Sequence, residues 1–456
     1  MGAVANIRLQ TALLLAIGFT GLLIYAFPGF MSMDSVAQLG DARSHQYSDW
    51  HPPMMAAIWT VMELFVKGPA LMLLVQGTLF LLGTFGILRR VLSERKAAMI
   101  ASSILLFPPV LAPMAVIWKD SQMAGFLLTG IALLLDERRS RQLIALLPFT
   151  IAAALRDNAA VAILPLIVLL FRWRGDQRHL VRIAIALAVW IVCVATAAGT
   201  NKLLTKRPSY AWYVSMGPPD IIGILKQSRT YSDADLIKIL DGTPLVKKDN
   251  IQPHARTYYN PYSWWNYMAG PLRIFDWPVT GEQRAAIKRA WWQMVRENPD
   301  AYFFHRLRVF RGVLGKPDRP VFDPVWHAHG NLPDLSSQPL VESTGHQFAI
   351  SQKLLWVAEH TPLFRVSVYF FSALALLWLA RRQRDVLALL LSGLLYELTL
   401  FLFAPSPDFR YSHWLVTVTI ISAVILFVRR LRANQIDVAE VAARRARHDR
   451  VGAGCA

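Results

Sequence analysis

The sequence predicts an all-α polytopic membrane protein of about ten transmembrane helices, with a mixed, mostly helical extracytoplasmic domain. Three observations predict it. Hydrophobic residues fill 54% of the 456 positions and charged ones only 17%, whereas a soluble domain carries about 25% charged residues. Apolar segments approaching the roughly 20 residues that cross a bilayer recur along the chain. The basic residues between them fall into alternate connections. This balance excludes a disordered chain and argues against an ordinary cytosolic enzyme. Two cysteines, Cys193 and Cys455, exclude a disulfide scaffold and a cysteine-based zinc site.

Taken in order, the apolar segments lie at 9–27, 69–88, 97–113, 120–136, 142–156, 158–173, 181–199, 363–380, 385–404 and 412–428. Arg89, Arg90, Arg95 and Lys96 separate the second from the third. Arg138, Arg139 and Arg141 separate the fourth from the fifth. Arg172, Arg174, Arg178 and Arg182 separate the sixth from the seventh, and Arg381, Arg382 and Arg384 the eighth from the ninth. Lys and Arg concentrate on the cytoplasmic side of membranes, so these connections and both termini are expected there. That placement accounts for the net charge of +18 without nucleic acid. The expected location is the inner (plasma) membrane. The first segment has a long core and no small-x-small site after it, so it reads as an uncleaved span rather than a secretory signal. Residues 53–67 are apolar but too short to cross, and they carry Trp59 and Glu63. They are expected to form a helix lying at the outer interface.

The chain thus divides into a transmembrane module at 1–199 with an outer loop at 28–68, an extracytoplasmic domain at 200–361, a second module at 362–430 and a basic cytoplasmic tail at 431–456. Within the outer domain, Thr280 followed by Gln283 is a capping-box pattern. It opens a helix carrying Trp291, Trp292 and Val295, which Asn298-Pro299 stops. A second helix is expected from about Asp300 to Leu314.

Ionisable residues at membrane depth are costly and therefore mark candidate sites. Polar residues cluster at four outer helix ends. They are Asp34, Ser35 and Gln38, continuing to Asp49-Trp50-His51-Pro52-Pro53; Trp118-Lys119-Asp120; Arg156-Asp157-Asn158; and Asp408-Phe409-Arg410-Tyr411-Ser412-His413. A carboxylate there can take a proton from an attacking hydroxyl. Arg and Lys suit a phosphate at the membrane surface. The set describes a site for an acceptor hydroxyl beside an anionic lipid head group. Each member also has a plainer reading. Arg156 and Asp157 neutralise each other, Lys119 snorkels, Arg410 and Tyr411 anchor at the interface, His51 caps a helix, and Asp34 is a loop carboxylate. Their common depth on one face favours the site.

Other candidates are weaker. Asp233-Ala234-Asp235 matches a metal–nucleotide-sugar motif, but it follows Ser232 at a helix start, where acids favour the dipole. His327, His329, His346 and His360 lack zinc-ligand spacing. Tyr258, Tyr259, Tyr262, Trp264, Trp265 and Tyr267 form an aromatic run that stacks on sugars or sits in the headgroup belt. Glu397 with Tyr396, in the ninth segment, would serve a transporter.

The residues Asp34-Ser35-Val36-Ala37-Gln38, Asp49-Trp50-His51-Pro52-Pro53, Trp118-Lys119-Asp120, Leu155-Arg156-Asp157-Asn158 and Asp408-Phe409-Arg410-Tyr411 together resemble the GT-C membrane glycosyltransferases. The nearer likeness is to bacterial mannosyltransferase-like multi-pass proteins. It runs through short motifs over roughly residues 1–430 and includes the outer stretch from Trp292 to Tyr302. The resemblance implies a GT-C-like fold and an inverting sugar transfer on the outer face. The partners it implies are a polyprenyl-phosphate sugar donor, a hydroxyl acceptor and the lipid bilayer. It implies Asp34 and Asp120 as the catalytic pair. It implies substrate binding by Lys119, Arg156, Arg410, His51, Asp49, Tyr411, Asn158 and Gln38. Two departures are visible. Ser35 stands where the common pattern has a second acid, and Ser412-His413-Trp414 follows Tyr411 where many members have proline. The resemblance makes no cofactor certain and leaves a divalent cation open. The alternative function is a transporter or flippase of a lipid-linked saccharide.

Overall fold

The structure, a computed structural model, describes residues 2–171, 178–268, 273–315, 325 and 344–453, without the side chains of 2–5, 266 and 436–453. Arg172, Arg174, His327, His329 and Cys455 lie outside the described residues. Every regular element among the described residues is a helix. The chain opens with α1 (Gly2–Ala26), an apolar run that Pro28 ends. The short helices α2 (Met33–Ser44) and α3 (Met54–Met62) follow. Next come α4 (Ala70–Leu88), the pair α5 (Glu94–Leu105) and α6 (Pro108–Met114), and α7 (Lys119–Leu134). Pro108 and Pro109 break the helix between α5 and α6, which meet at a bend of 69°. The first module closes with α8 (Arg139–Ile144), α9 (Leu146–Leu155), α10 (Ala159–Leu170) and α11 (His179–Leu204).

Helices α12 (Trp212–Ser215), α13 (Gly217–Gln227), α14 (Asp233–Ile239), α15 (Ile251–Tyr258), α16 (Trp265–Met268), α17 (Gly281–Glu297), α18 (Pro299–Val313) and α19 (Gly345–His360) belong to the 200–361 stretch. Thr280 caps α17 through a capping box with Gln283, as its pattern predicts. The last three helices are α20 (Val366–Leu379), α21 (Arg384–Phe403) and α22 (His413–Ala453).

Among the described residues five helices are long and apolar enough to cross a membrane, and six if α5 and α6 make one bent span. They cover α1, α4, α11, α21 and the start of α22. The four other expected spans fall on α7, α9, α10 and α20, which have 16, 10, 12 and 14 residues. Much of α1 and α11 turns apolar side chains outward: Ile17 is 65% exposed and Val192 63%. Contiguous apolar surface of that kind calls for a lipid environment. The 53–67 stretch is helical only over Met54–Met62. Trp59 is fully buried and donates to the Gly68 carbonyl at 3.1 Å, so α3 is packed into the protein, while Leu64 and Phe65 at its end stay exposed.

Contacts between helices give their directions. Gly83 lies against Leu128, Gly86 against Ala132, and Arg90 reaches Asp136, so α4 and α7 run parallel. A Cβ at Gly83 would fall 2.7 Å from the Leu128 backbone, so glycine is what lets the two helices touch. Leu22 packs on Gly77, and Gly29 meets Pro69, so α1 is antiparallel to α4. Arg156 pairs with Asp120, Asn158 with Thr399, and Arg429 with Asp385. The apolar passages therefore run alternately up and down. One face gathers the ends near residues 26–34, 118–120, 155–158 and 404–413. The opposite face gathers Arg90, Arg138, Arg141, Arg182, Arg384 and Arg429.

The 200–361 stretch has its own core of Ile221, Leu225, Leu236, Phe275 and Met294. It stands on the first face, where Gln347 donates to the Phe27 carbonyl at 2.7 Å, Ser351 bonds the Tyr25 hydroxyl at 3.1 Å and a buried arginine ties it to α21. Arg306 on α18 donates to the carbonyls of Phe401 and Ala404 at the end of α21, both at 2.9 Å, and pairs with Asp220 at 3.2 Å. The arginine thereby satisfies carbonyls that a helix end leaves open.

Candidate functional site

The chain leaving α1 is pinned to the chain entering α7. Gly29 takes φ +122°, and a Cβ there would lie 2.8 Å from Ile117, so the turn admits only glycine without strain. Phe30 then bonds Ala115 and Ile117 through its backbone, at 3.0 Å each. Ser32 caps α2 in a capping box with Ser35. Trp118 donates to the Ser32 hydroxyl at 2.7 Å, and Ser35 donates to the Ile117 carbonyl at 2.8 Å. Ser35 therefore has a structural task where the resembling pattern has an acid. These bonds set Asp34, in the first turn of α2, beside Lys119 and Asp120 at the start of α7.

From Asp34 the cluster extends both ways. Arg410 reaches one carboxylate oxygen at 2.7 Å and Asp408 at 2.8 Å. His51 Nε2 faces the other Asp34 oxygen at 3.4 Å. Lys119 donates to His51 Nδ1 at 2.8 Å. A lysine ammonium has no lone pair, so Nδ1 is the acceptor and Nε2 carries the proton toward Asp34. Asp120 is fully buried and pairs with Arg156 at 3.0 Å. Arg156 also donates to the Tyr396 hydroxyl at 3.1 Å and lies 4.6 Å from the Tyr411 ring. Arg410 stacks on Trp118 at 4.6 Å and on Tyr411 at 5.4 Å.

Charge determines the protonation states. Burial pushes the Asp34 carboxyl up, but Arg410, His51 and Lys119 together outweigh it and hold it well below the usual carboxylate range. Burial, with Lys119 next to it, holds the His51 imidazole below its usual range despite Asp34. Asp34 is thus ionised and His51 neutral at pH 7. Three carboxylates (Asp34, Asp120, Asp408) face three cations (Lys119, Arg156, Arg410). Arg156 and Arg410 are each paired with carboxylates. Lys119 makes no ion pair among the described residues; its polar partner is His51.

The structure brings together Asp34, His51, Lys119, Asp120, Arg156, Arg410 and Tyr411. Gln38 sits one turn beyond Asp34, buried, with its Oε1 lacking a hydrogen bond among the described residues. Two candidates are employed otherwise. The Asp49 carboxylate accepts from the Ser209 amide and hydroxyl, tying the 45–50 loop to the segment that follows α11. Asn158 donates to Thr399 at 2.6 Å, locking α10 to α21. Arg156 and Asp157 do not neutralise each other, since Arg156 turns inward and Asp157 outward. Trp118, Tyr396 and Asp408 belong to the cluster without having been assigned to the site. Asp408 and Trp118 stood in the sequence clusters, whereas Tyr396 lies well inside the apolar segment 385–404 and gave only the hint of a neighbouring Glu397.

The Asp233-Ala234-Asp235 motif is used up in capping. Asp233 accepts from the amides of Asn250 and Ile251, at 2.6 and 3.0 Å, and Asp235 completes the Ser232 capping box. Among the described residues no three His, Cys, Asp or Glu side chains converge as a metal site requires. The site carboxylates face guanidinium groups, which do the neutralising a cation would do, so a divalent ion does not fit this donor set. No family model matches the chain, and no curated protein or solved structure matches it significantly.

Proposed function

We propose that this protein is an integral-membrane inverting glycosyltransferase of GT-C type, moving a sugar from a polyprenyl-phosphate carrier to a hydroxyl acceptor on the extracytoplasmic face. The observation that carries the reading is the Asp34–His51–Lys119 chain beside Arg156 and Arg410. It sets an ionised carboxylate next to a cation that no carboxylate neutralises directly. All ten alternating passages cross the bilayer in this reading, the short ones completed by their loops. The arginine-rich face is cytoplasmic by the positive-inside rule. The cluster then opens to a compartment without nucleotide sugars, where an activated sugar has to arrive on lipid.

In the reaction, the acceptor oxygen attacks the anomeric carbon and its proton passes to Asp34. The bond from that carbon to the carrier phosphate breaks, and the phosphate leaves with added negative charge. Lys119 receives that charge, with Arg156 and Arg410 behind it, and fixed cations of this kind stabilise the transition state more than the ground state. His51 holds Asp34 and Lys119 in register. Asp120 positions Arg156.

The experiment supplies reconstituted protein with a radiolabelled polyprenyl-phosphate sugar and a membrane extract, and compares Asp34→Asn and Lys119→Met. Each substitution is expected to lower transfer on the order of 10²–10³-fold, as loss of an oxyanion donor does. Equal transfer by all three proteins removes the reading. A second reading, a flippase for a lipid-linked saccharide, draws on one observation. Glu397 is fully buried in α21, and its Oε2 has no hydrogen-bond partner among the described residues. Movement of labelled lipid across the vesicle without bond formation would favour it.

A further inference from the structure

Helix α18 lies across the outer ends of two apolar passages. At its C-terminal end the Ser367 amide, in the first turn of α20, donates to the Leu314 carbonyl at 2.9 Å. Nearer its start, the Phe303 ring meets that of Phe401 on α21, with centroids 5.6 Å apart. Phe310 packs between, 6.3 Å from Phe370 of α20 and 5.9 Å from Phe401. Phe401 stands in the last turn of α21, so Phe303 sits close to the level at which that helix ends. The opposite face of α18 is apolar in its first half and basic in its second. Phe303 is 51% exposed and Phe304 52%, with half-buried Leu307 one turn on, and exposed Arg308 and Arg311 follow. Asp300, exposed at the helix start, stands where an acid suits the dipole. Leu402 and Phe403, next to Phe401 on α21, are 44% and 57% exposed. Phe304 lies about three turns from Gly315, where the described residues break off.

We propose that α18 is an interfacial helix that seats Phe303 and Phe304 in the outer leaflet of the bilayer, with Arg308 and Arg311 reaching the lipid phosphates. Continuity with α21 points to this occupant. A helix that crosses the bilayer fixes the depth of whatever is bound to its end, and α18 is bound there through Phe303 and Arg306. The Phe303–Phe401 contact brings the exposed rings of α18 up to the exposed Leu402 and Phe403 of α21, so one apolar surface passes from the span to the outer unit. Aromatic rings dipping below the head groups, beside arginines whose stems follow them and whose charges stay in water, are what a helix lying in that plane carries. A second copy of this chain would cover the rings as well, but it would also have to displace lipid from Leu402 and Phe403. The 200–361 unit is then held at the membrane surface by lipid as well as by Arg306. The inference needs α21 to lie in a bilayer and is independent of sugar transfer.

The test reads depth in the full chain, reconstituted in nanodiscs of phosphatidylcholine and phosphatidylglycerol. Cys193→Ala and Cys455→Ala clear the background, and a single nitroxide is attached through Phe304→Cys or, separately, Phe403→Cys. Power saturation compares collisions with oxygen, which concentrates in hydrocarbon, and with a water-soluble nickel chelate. The label at 304 is expected to favour oxygen, as the label at 403 does, and to lie about 5–10 Å into the head-group and acyl boundary. A second measurement keeps a ring at the position in case the cysteine disturbs folding: Phe304 is replaced by photoreactive benzoylphenylalanine, and irradiation is expected to add the mass of one phospholipid. Nickel outpacing oxygen at 304 would overturn the proposal, and the reading at 403 tells whether the α21 span fails with it. Shielding of 304 from both reagents, or cross-linking to protein in place of lipid, would overturn it too.

Discussion

The Asp120–Arg156 pair offers the sharpest quantitative test of the site. The Asp120 side chain is 1% exposed and the Arg156 side chain 11%, and they meet at 3.0 Å. With an effective dielectric near 20, that separation gives an attraction of about 5–6 kcal/mol, most of it cancelled by desolvation of the two ions. The net worth of the pair is therefore small, but removal of one member is not. Arg156→Met strands a buried carboxylate that has no hydrogen bond from elsewhere among the described residues. The expected cost is about 3–5 kcal/mol. Asp120→Asn should cost less, because Arg156 keeps Tyr396 and the Tyr411 ring. The double variant should recover at least about 2 kcal/mol of the summed losses. Unfolding in detergent micelles, followed by tryptophan fluorescence, measures all four proteins. A double-mutant cycle that closes within about 0.5 kcal/mol would show that the two side chains do not share a dry environment, and the description of the site would fail with it.

Further outcomes follow from other contacts. His51 has a lowered pKa, so its unfolded form takes up a proton first as pH falls. Its contribution to stability is full above its ordinary value of 6.5 and is lost as pH drops below it; urea midpoints between pH 8 and 5 should show a decline that His51→Gln abolishes. Asp34 follows the same sign at lower pH, its contribution being lost only below the ordinary carboxylate range. Gly29→Ala should destabilise by roughly 1–3 kcal/mol, since it strains a φ of +122° and drives a methyl onto Ile117. Thermal unfolding with no shift would contradict the pinned turn. Asp233→Ala removes a double cap on α15 and should cost about 1 kcal/mol without lowering sugar transfer. A loss of transfer with intact stability would restore that motif as a substrate site.

The long helices α1, α4, α11, α21 and the start of α22 were legible because apolar runs of membrane length leave few alternatives, and the turn into α17 was legible because Thr280 and Gln283 carry a local capping signal. The four polar clusters were legible for a related reason: charge is rare enough in this chain that each exception stands out. What each exception does was another matter. Nothing local separates Asp49, which fastens a loop to Ser209, from Asp34, which meets Arg410 across more than 370 positions. Nor does the order of residues say that Arg156 turns to Asp120 rather than to its neighbour Asp157. Short-range propensity and hydrophobic pattern act within a few residues, so the sequence by itself determined the helical class, the alternation of basic connections and the list of candidates. Pairing between side chains far apart in the chain depends on which helix ends pack together. Only the tertiary structure therefore decided that Lys119 is the cation left to His51 and that the outer unit is held to α21 by Arg306.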